Sequence, residues 1–199
     1  DPKSLRGGNI AKVECVIANP PFAVENGGAP EWSSDKYKRN IYGTPSDSCG
    51  DYAWIQHMIC SMSSGKGRMA VVMPQGILFR GNQEAEIRKQ LVESDLIEAV
   101  VTLGDKLFYG TGLSPCFLII RRMKQAHHSG RILMIDGSKI LTQKRAQNIL
   151  EENDIDRLYS LYQNYSDEED YSRIVTLQEI RDKEYNLSPN RYVVYHKEE

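Results

Sequence analysis

A chain of 199 residues, 40% hydrophobic and 26% charged with a formal net charge of −2, has the make-up of an ordinary globular domain that can bury a core. No apolar run reaches the roughly 18 residues of a membrane helix, and Asp1-Pro2-Lys3-Ser4 has no signal-peptide character, so a cytoplasmic protein with no membrane partner is expected. Near-neutral charge supplies no basic face for free-standing nucleic-acid binding, and Cys15, Cys49, Cys60 and Cys116 lack metal-ligand spacing, so no metal is expected.

The first element is an apolar run, residues 13–18, that reads as a buried strand. Asn19-Pro20-Pro21-Phe22 follows. Two consecutive prolines remove two N–H donors and fix φ near −65°, so the ladder must stop there. What remains is a carboxamide, the Pro20 carbonyl and an aromatic ring. Two acceptors beside a flat stacking surface suit a planar molecule that carries an exocyclic amino group.

Residues 23–50 form a polar stretch without periodicity, long for a structureless connection and therefore a candidate functional loop. Trp32, Tyr37 and Tyr42 give it stacking surfaces, and Lys36, Lys38 and Arg39 give it positive charge. Asp51 reads as the N-cap of a helix over about 52–63, with Ile55, Met58, Ile59 and Met62 on one face and Gly65 past its end. His57 falls off that stripe, as a surface histidine would.

Arg68 to Pro74 reads as a second strand, followed by Gln75-Gly76 and a helix over Gln83 to Val92 with a Glu84–Arg88 pair. Leu96 to Leu103, Cys116 to Arg121 and Arg131 to Asp136 read as further strands, with Cys15 and Cys116 as small core residues. Strands alternating with helices predict α/β layers around a mostly parallel sheet. Ligands of such sheets bind beyond the carboxyl ends of the strands, so Asn19 and the Pro74-Gln75-Gly76 turn should share one rim. Beyond residue 136 an amphipathic helix with Ile155, Leu158, Tyr159 and Tyr162, an acidic loop and a Thr176–Glu179 capping box suggest an appendage. The expected division is 1–136 as the sheet domain and 137–199 as an α+β appendage packed on it.

This succession of motifs resembles the modification (methyltransferase) subunits of type I restriction-modification systems. The resemblance rests on Asn19-Pro20-Pro21-Phe22, Tyr42-Gly43-x-Pro45, Asp51-Tyr52-Ala53-Trp54 with Gln56-His57, and Gly67-Arg68 running into Val71-Val72-Met73-Pro74-Gln75-Gly76. It continues through Phe79-Arg80-Gly81, Ile87-Arg88, Phe108-Tyr109-Gly110-Thr111-Gly112, Tyr185-Asn186-Leu187 and Arg191-Tyr192. It implies a class I (Rossmann-like) S-adenosylmethionine-dependent sheet and methylation of adenine N6 in double-stranded DNA. The target adenine would be flipped out of the helix. Partners implied are a specificity subunit, a second modification subunit and a restriction subunit. Asn19, Pro20, Pro21 and Phe22 are the candidate catalytic residues, and Trp32, Tyr42, Gln75 and Arg80 the candidate substrate contacts.

Such enzymes carry a Gly-rich cofactor loop upstream of the Asn-Pro-Pro-Phe motif, where only 18 residues stand here. Phe108-Tyr109-Gly110-Thr111-Gly112 imitates that loop but runs into a β-type segment rather than a helix, so it fails the structural requirement. The chain is expected to be the carboxyl-terminal half of the catalytic sheet, inactive alone, with residues 13–18 as an open edge. The nearest alternatives are another amino-group methyltransferase, acting on cytosine N4 or a protein glutamine, and a non-catalytic assembly module. Asn at the first motif position, Phe at the fourth and the Tyr185 to Tyr192 segment favour adenine. Calorimetric titration of this polypeptide with S-adenosylmethionine should give weak or no binding; low-micromolar affinity would overturn the expectation.

Overall fold

The computed structural model describes residues 5–6, 9–22, 32–108, 112–145 and 147–196. A two-stranded antiparallel hairpin, β1 (Leu5–Arg6) and β2 (Asn9–Ile10), precedes the main body. The strands β3 (Cys15–Ala18), β4 (Arg68–Pro74), β5 (Ile97–Leu103), β6 (Pro115–Arg121), β7 (Arg131–Gly137) and β8 (Ser172–Thr176) form one six-stranded sheet in the order β3-β4-β6-β5-β7-β8. The helices are α1 (Asp51–Ser61), α2 (Asn82–Glu93), α3 (Glu152–Asn164) and α4 (Leu177–Asp182).

The α/β layering is as expected, but the sheet is mixed rather than mostly parallel. Only β3–β4 and β5–β7 pair in parallel; β4–β6, β6–β5 and β7–β8 are antiparallel. The reason lies in the connection from Leu103 to Pro115, which is too short to carry a crossover helix. A parallel return needs a dozen or more residues, so β6 folds back beside β5 instead.

On one face of the sheet α1 and α2 bury Ile55, Ile59, Ile87 and Leu91 against Met69, Val71, Met73, Leu118 and Ile120. Each such side chain contributes about 1.5–3 kcal/mol by leaving water. The predicted stripe of α1 is the one observed, since Ile55, Met58, Ile59 and Met62 are all buried. Its start differs. Gly50 is the N-cap and Asp51 the first helical residue, because the Asp51 carboxylate is held by the side chains of Cys49 and Arg80. In α2, likewise, the expected Glu84–Arg88 pair does not form. Glu84 meets Arg80, and Arg88 is buried with its guanidinium on the carbonyls of Tyr185, Ile77 and Arg80.

The other face is covered over β5 and β7 by α3, whose Leu158 and Leu161 pack on Val101, Leu133 and Ile135. The buried stripe of this helix differs from the predicted one: Ile155 and Tyr159 point outward at 53% and 60% exposure. A bond from Tyr162 Oη to the buried Glu98 carboxylate (2.7 Å) fixes the helix in that rotation. The cover does not extend to β3. Ile17 is 81% exposed, and Cys15 is exposed rather than a core residue. Val16 and Ala18, on the opposite face of the strand, pack on the main core. β3 lies at the sheet's edge, as expected, and is half-buried rather than buried.

β8 hydrogen-bonds to β7 as the last strand, and Val175, Ile180, Leu187 and Tyr192 belong to the same core as α1 and α2. The capping box that opens α4 is formed as the sequence predicts, with Thr176 Oγ1 accepting from Glu179 N and the Glu179 carboxylate accepting from Thr176 N. The contrast between edge and core gives a stability test. Ile17→Thr should shift urea unfolding by no more than about 0.5 kcal/mol, whereas Ile59→Ala should lose about 2–5 kcal/mol.

Candidate active site

The parallel register of β3 on β4 pairs Ala18 with Val71, so both strands point their carboxyl ends at one rim. Asn19, immediately past the last β3 residue, therefore shares that rim with Pro74 and Gln75. The antiparallel β6 brings its first residue, Pro115, opposite Pro74. Gln75 ties these ends together. Its Nε2 donates to Leu103 O (2.9 Å) and Pro115 O (3.1 Å), and its backbone N–H donates to Ser114 O (3.0 Å). A single carboxamide thus fixes the exits of β4 and β5 and the entry of β6.

Within the motif the four residues divide by burial. Asn19 and Pro21 are exposed, Pro20 is buried and Phe22 is half-buried. Phe22 meets Phe108 edge-to-face, with ring centroids 5.8 Å apart and planes at 70°. Such a pair contributes about 0.5–1.5 kcal/mol beyond burial. The sequence reading treats Phe108 only as the start of an imitation cofactor loop; residues 109–111 of that segment lie outside the described residues. A signal was there: an aromatic in a Gly-rich connection at the same rim. Its contact with Phe22, 86 positions earlier, is a tertiary fact.

The remaining candidates are engaged differently. Arg80 Nη1 lies 2.9 Å from Asp51, 3.2 Å from Glu84 and 2.8 Å from Cys49 Sγ. Asp51 is fully buried and Cys49 and Glu84 nearly so. Cys49, Asp51 and Glu84 are close enough to hold a metal ion, but the guanidinium already brings positive charge to their centre, so the set fits an arginine and not a metal. Burial pushes the Cys49 thiol up to about 12, which keeps it protonated and donating to Asp51. Gly76 belongs to this arrangement: a Cβ there would lie 2.4 Å from Arg80 Nε.

Tyr42 packs half-buried on the main core, and Gln56 clamps the chain beside it by accepting from Tyr42 N (2.8 Å) and donating to Gly43 O (3.0 Å). Trp32 is half-buried with the Arg39 guanidinium 4.7 Å from its ring centroid. Arg39 is in turn bidentate on Asp35, whose pKa it holds down at about 2. His57 is half-buried with Nδ1 3.5 Å from Arg39 Nη1; burial and then the Arg39 charge lower its pKa. Residues 23–31 of the candidate loop lie outside the described residues.

A family model described as N-6 DNA Methylase matches residues 2–199. The chain belongs to that family. It is 35% identical to the type I restriction enzyme MjaVII methylase subunit of Methanocaldococcus jannaschii, over 97% of this chain and 34% of that protein. It is 30% identical to the HindI methylase subunit of Haemophilus influenzae, over 92% of this chain and 42% of that protein. Among solved structures, the methyltransferase subunit of a type I restriction-modification system from Streptococcus thermophilus superposes with a TM-score of 0.82 at 26% identity. That match covers 96% of this chain and 39% of the other. The resemblance to type I modification subunits therefore stands, as does the Rossmann-like α/β class of the sheet. The chain spans about a third of the length of the first of these relatives.

Replacing Arg80 by Met takes the compensating positive charge away from the buried Asp51 carboxylate. The loss should be about 2–3 kcal/mol in urea unfolding, below the full value for a buried pair because the guanidinium is 30% exposed. The double variant Arg80→Met/Asp51→Asn should recover part of it. No loss in the single variant would contradict the assignment.

Proposed function

We propose that this chain carries the target-base half of a DNA adenine-N6 methyltransferase, the modification subunit of a type I restriction-modification system. The observation that carries the reading is an exposed Asn19 carboxamide fixed at the end of β3, beside a Phe22 ring braced by Phe108. Membership of the N-6 DNA methylase family supports it.

The chemistry follows from what the amine lacks. An aryl amine is a poor nucleophile because its lone pair is delocalised into the ring. Acceptors at Asn19 Oδ1 and the Pro20 carbonyl would take both N–H hydrogens of the adenine N6 and favour a pyramidal nitrogen with a localised lone pair. This stabilises charge that develops only in the transition state, and it fixes the nitrogen in an attacking position. The Pro21 ring restricts ψ of Pro20 to the extended region, which holds the Pro20 carbonyl in one direction. Phe22 would stack on the purine, and Phe108 keeps Phe22 from turning out to solvent. The base must leave the duplex to reach this rim.

The donor of this reading is S-adenosylmethionine. Among the described residues no glycine-rich turn runs from a strand into a helix. The 104–114 connection runs from β5 into β6, and Gly76 accommodates Arg80. The residues described do not make a cradle for that group. The further partners of the reading are the specificity chain, a second modification chain and the restriction subunit. The relatives' description as restriction enzyme methylase subunits supports them.

In the complete protein, Asn19→Ala should lower methyl transfer to duplex DNA by about 10²–10³-fold, the usual effect of losing one such polar partner, and leave DNA affinity in place. Nucleoside analysis of the wild-type product should give N6-methyladenine. Retained methylation in the variant would sink the catalytic reading in favour of an assembly module, and N4-methylcytosine or methylated protein would redirect it to the other amino-group substrates.

A further inference from the structure

At the rim opposite Asn19 a second feature has no part in the chemistry above. A cavity of about 890 Å³ opens between the segment that leads into β3 and the 36–38 turn, lined by Lys12, Lys36, Lys38, Asn9, Tyr37 and Cys60 among others, none of them acidic. The nearby acid on the turn, Asp35, is already neutralised by its two bonds to Arg39. Three lysines therefore line one cavity, and none of the described residues lining it carries a carboxylate, in a chain whose net charge is −2.

Part of this charge has an internal use. The Lys12 ammonium donates to Cys60 O and Arg122 donates to Ile59 O (2.7 Å), so both complement the negative end of α1. Lys36 and Lys38 do not. Both are exposed on the 36–38 turn, and Lys36 Nζ lies 4.8 Å over the Tyr37 ring. Lys38 takes a left-handed backbone conformation (φ 53°), which turns the chain sharply at the cavity's edge. Lysine ammonium groups on a flexible stem suit the oxygens of phosphates as point charges. A polyanion with regularly spaced charges meets several of them at once.

We propose that this cavity binds the sugar-phosphate backbone of the DNA whose base is taken at the Asn19 rim. The inference rests on the reading under Proposed function. Asn19 lies seven positions after Lys12, a reach of at most about 25 Å, or about seven base-pair steps at roughly 3.4 Å each. One duplex segment can therefore touch both places. The lysines carry no sequence information; they add affinity and fix the register of the duplex.

The test is the salt dependence of binding by the complete protein in its native assembly, with a fluorescein-labelled mixed-sequence duplex. Each phosphate contact contributes about 0.9 to the slope of log K against log salt. Lys36→Gln/Lys38→Gln should reduce the magnitude of that slope by about 1.8 between roughly 50 and 200 mM salt, and adding Lys12→Gln should reduce it by about 2.7. The double variant leaves the α1 cap intact, so a folding defect cannot account for its result. An unchanged slope in both variants overturns the proposal. So does calorimetric binding of inorganic pyrophosphate that is lost in the variants while the duplex slope stays unchanged, because the site then takes a small phosphate. Asn19→Ala separates this inference from the catalytic reading: it should lower methylation as stated above and keep the wild-type slope. If the lysine variants keep the slope while Asn19→Ala lowers methylation, only the phosphate site falls.

Discussion

Two adjacent imino acids at the end of a parallel pair set the geometry of this molecule's active rim. Pro20 and Pro21 cannot donate to a ladder, so β3 ends at Ala18, opposite Val71, and the chain must leave the sheet there. The same register places β4's exit at Pro74-Gln75 alongside. From that point the Gln75 carboxamide binds the Leu103 and Pro115 carbonyls and so fixes both ends of the 104–114 connection. Phe108 rides on that connection and meets Phe22. The site is a consequence of where strands stop, and the side chains that tie the strand ends are as much part of it as those that face the ligand.

This explains why Gln75 and Arg80, both candidates for touching substrate, are found bonded to the protein itself. Gln75 uses both amide hydrogens on backbone carbonyls. Arg80 holds the charge of Asp51 at the first turn of α1 and reaches Glu84 in α2. An arginine between two helices and beneath a glycine that makes room for it keeps the face behind the rim rigid. A binding rim gains precision from supports of this kind.

Much of this was legible in the residues because the strong signals are local. The proline corner, the five strands read from apolar runs, the α1 stripe and the Thr176 capping box each depend on neighbours within a few positions. What could not be read depends on distant partners. Alternation along β3 shows that Val16 and Ala18 share a face, but not that the other face, which carries Cys15 and Ile17, is left uncovered. The rotation of α3 is decided by Tyr162 reaching Glu98, 64 positions away. Arg88, predicted to pair along its own helix, finds its carbonyl 97 positions later at Tyr185. The reversed direction of β6 follows from the length of the connection before it rather than from the strand's own pattern.

The claim most open to direct measurement is the role of the paired acceptors. A structure of the complete protein on a duplex carrying its target adenine would decide it. The account predicts a flipped adenine with N6 about 3 Å from both Asn19 Oδ1 and the Pro20 carbonyl oxygen, and with Phe22 stacked on the purine. An extruded base held elsewhere, or one whose amino group reaches neither oxygen, would contradict it.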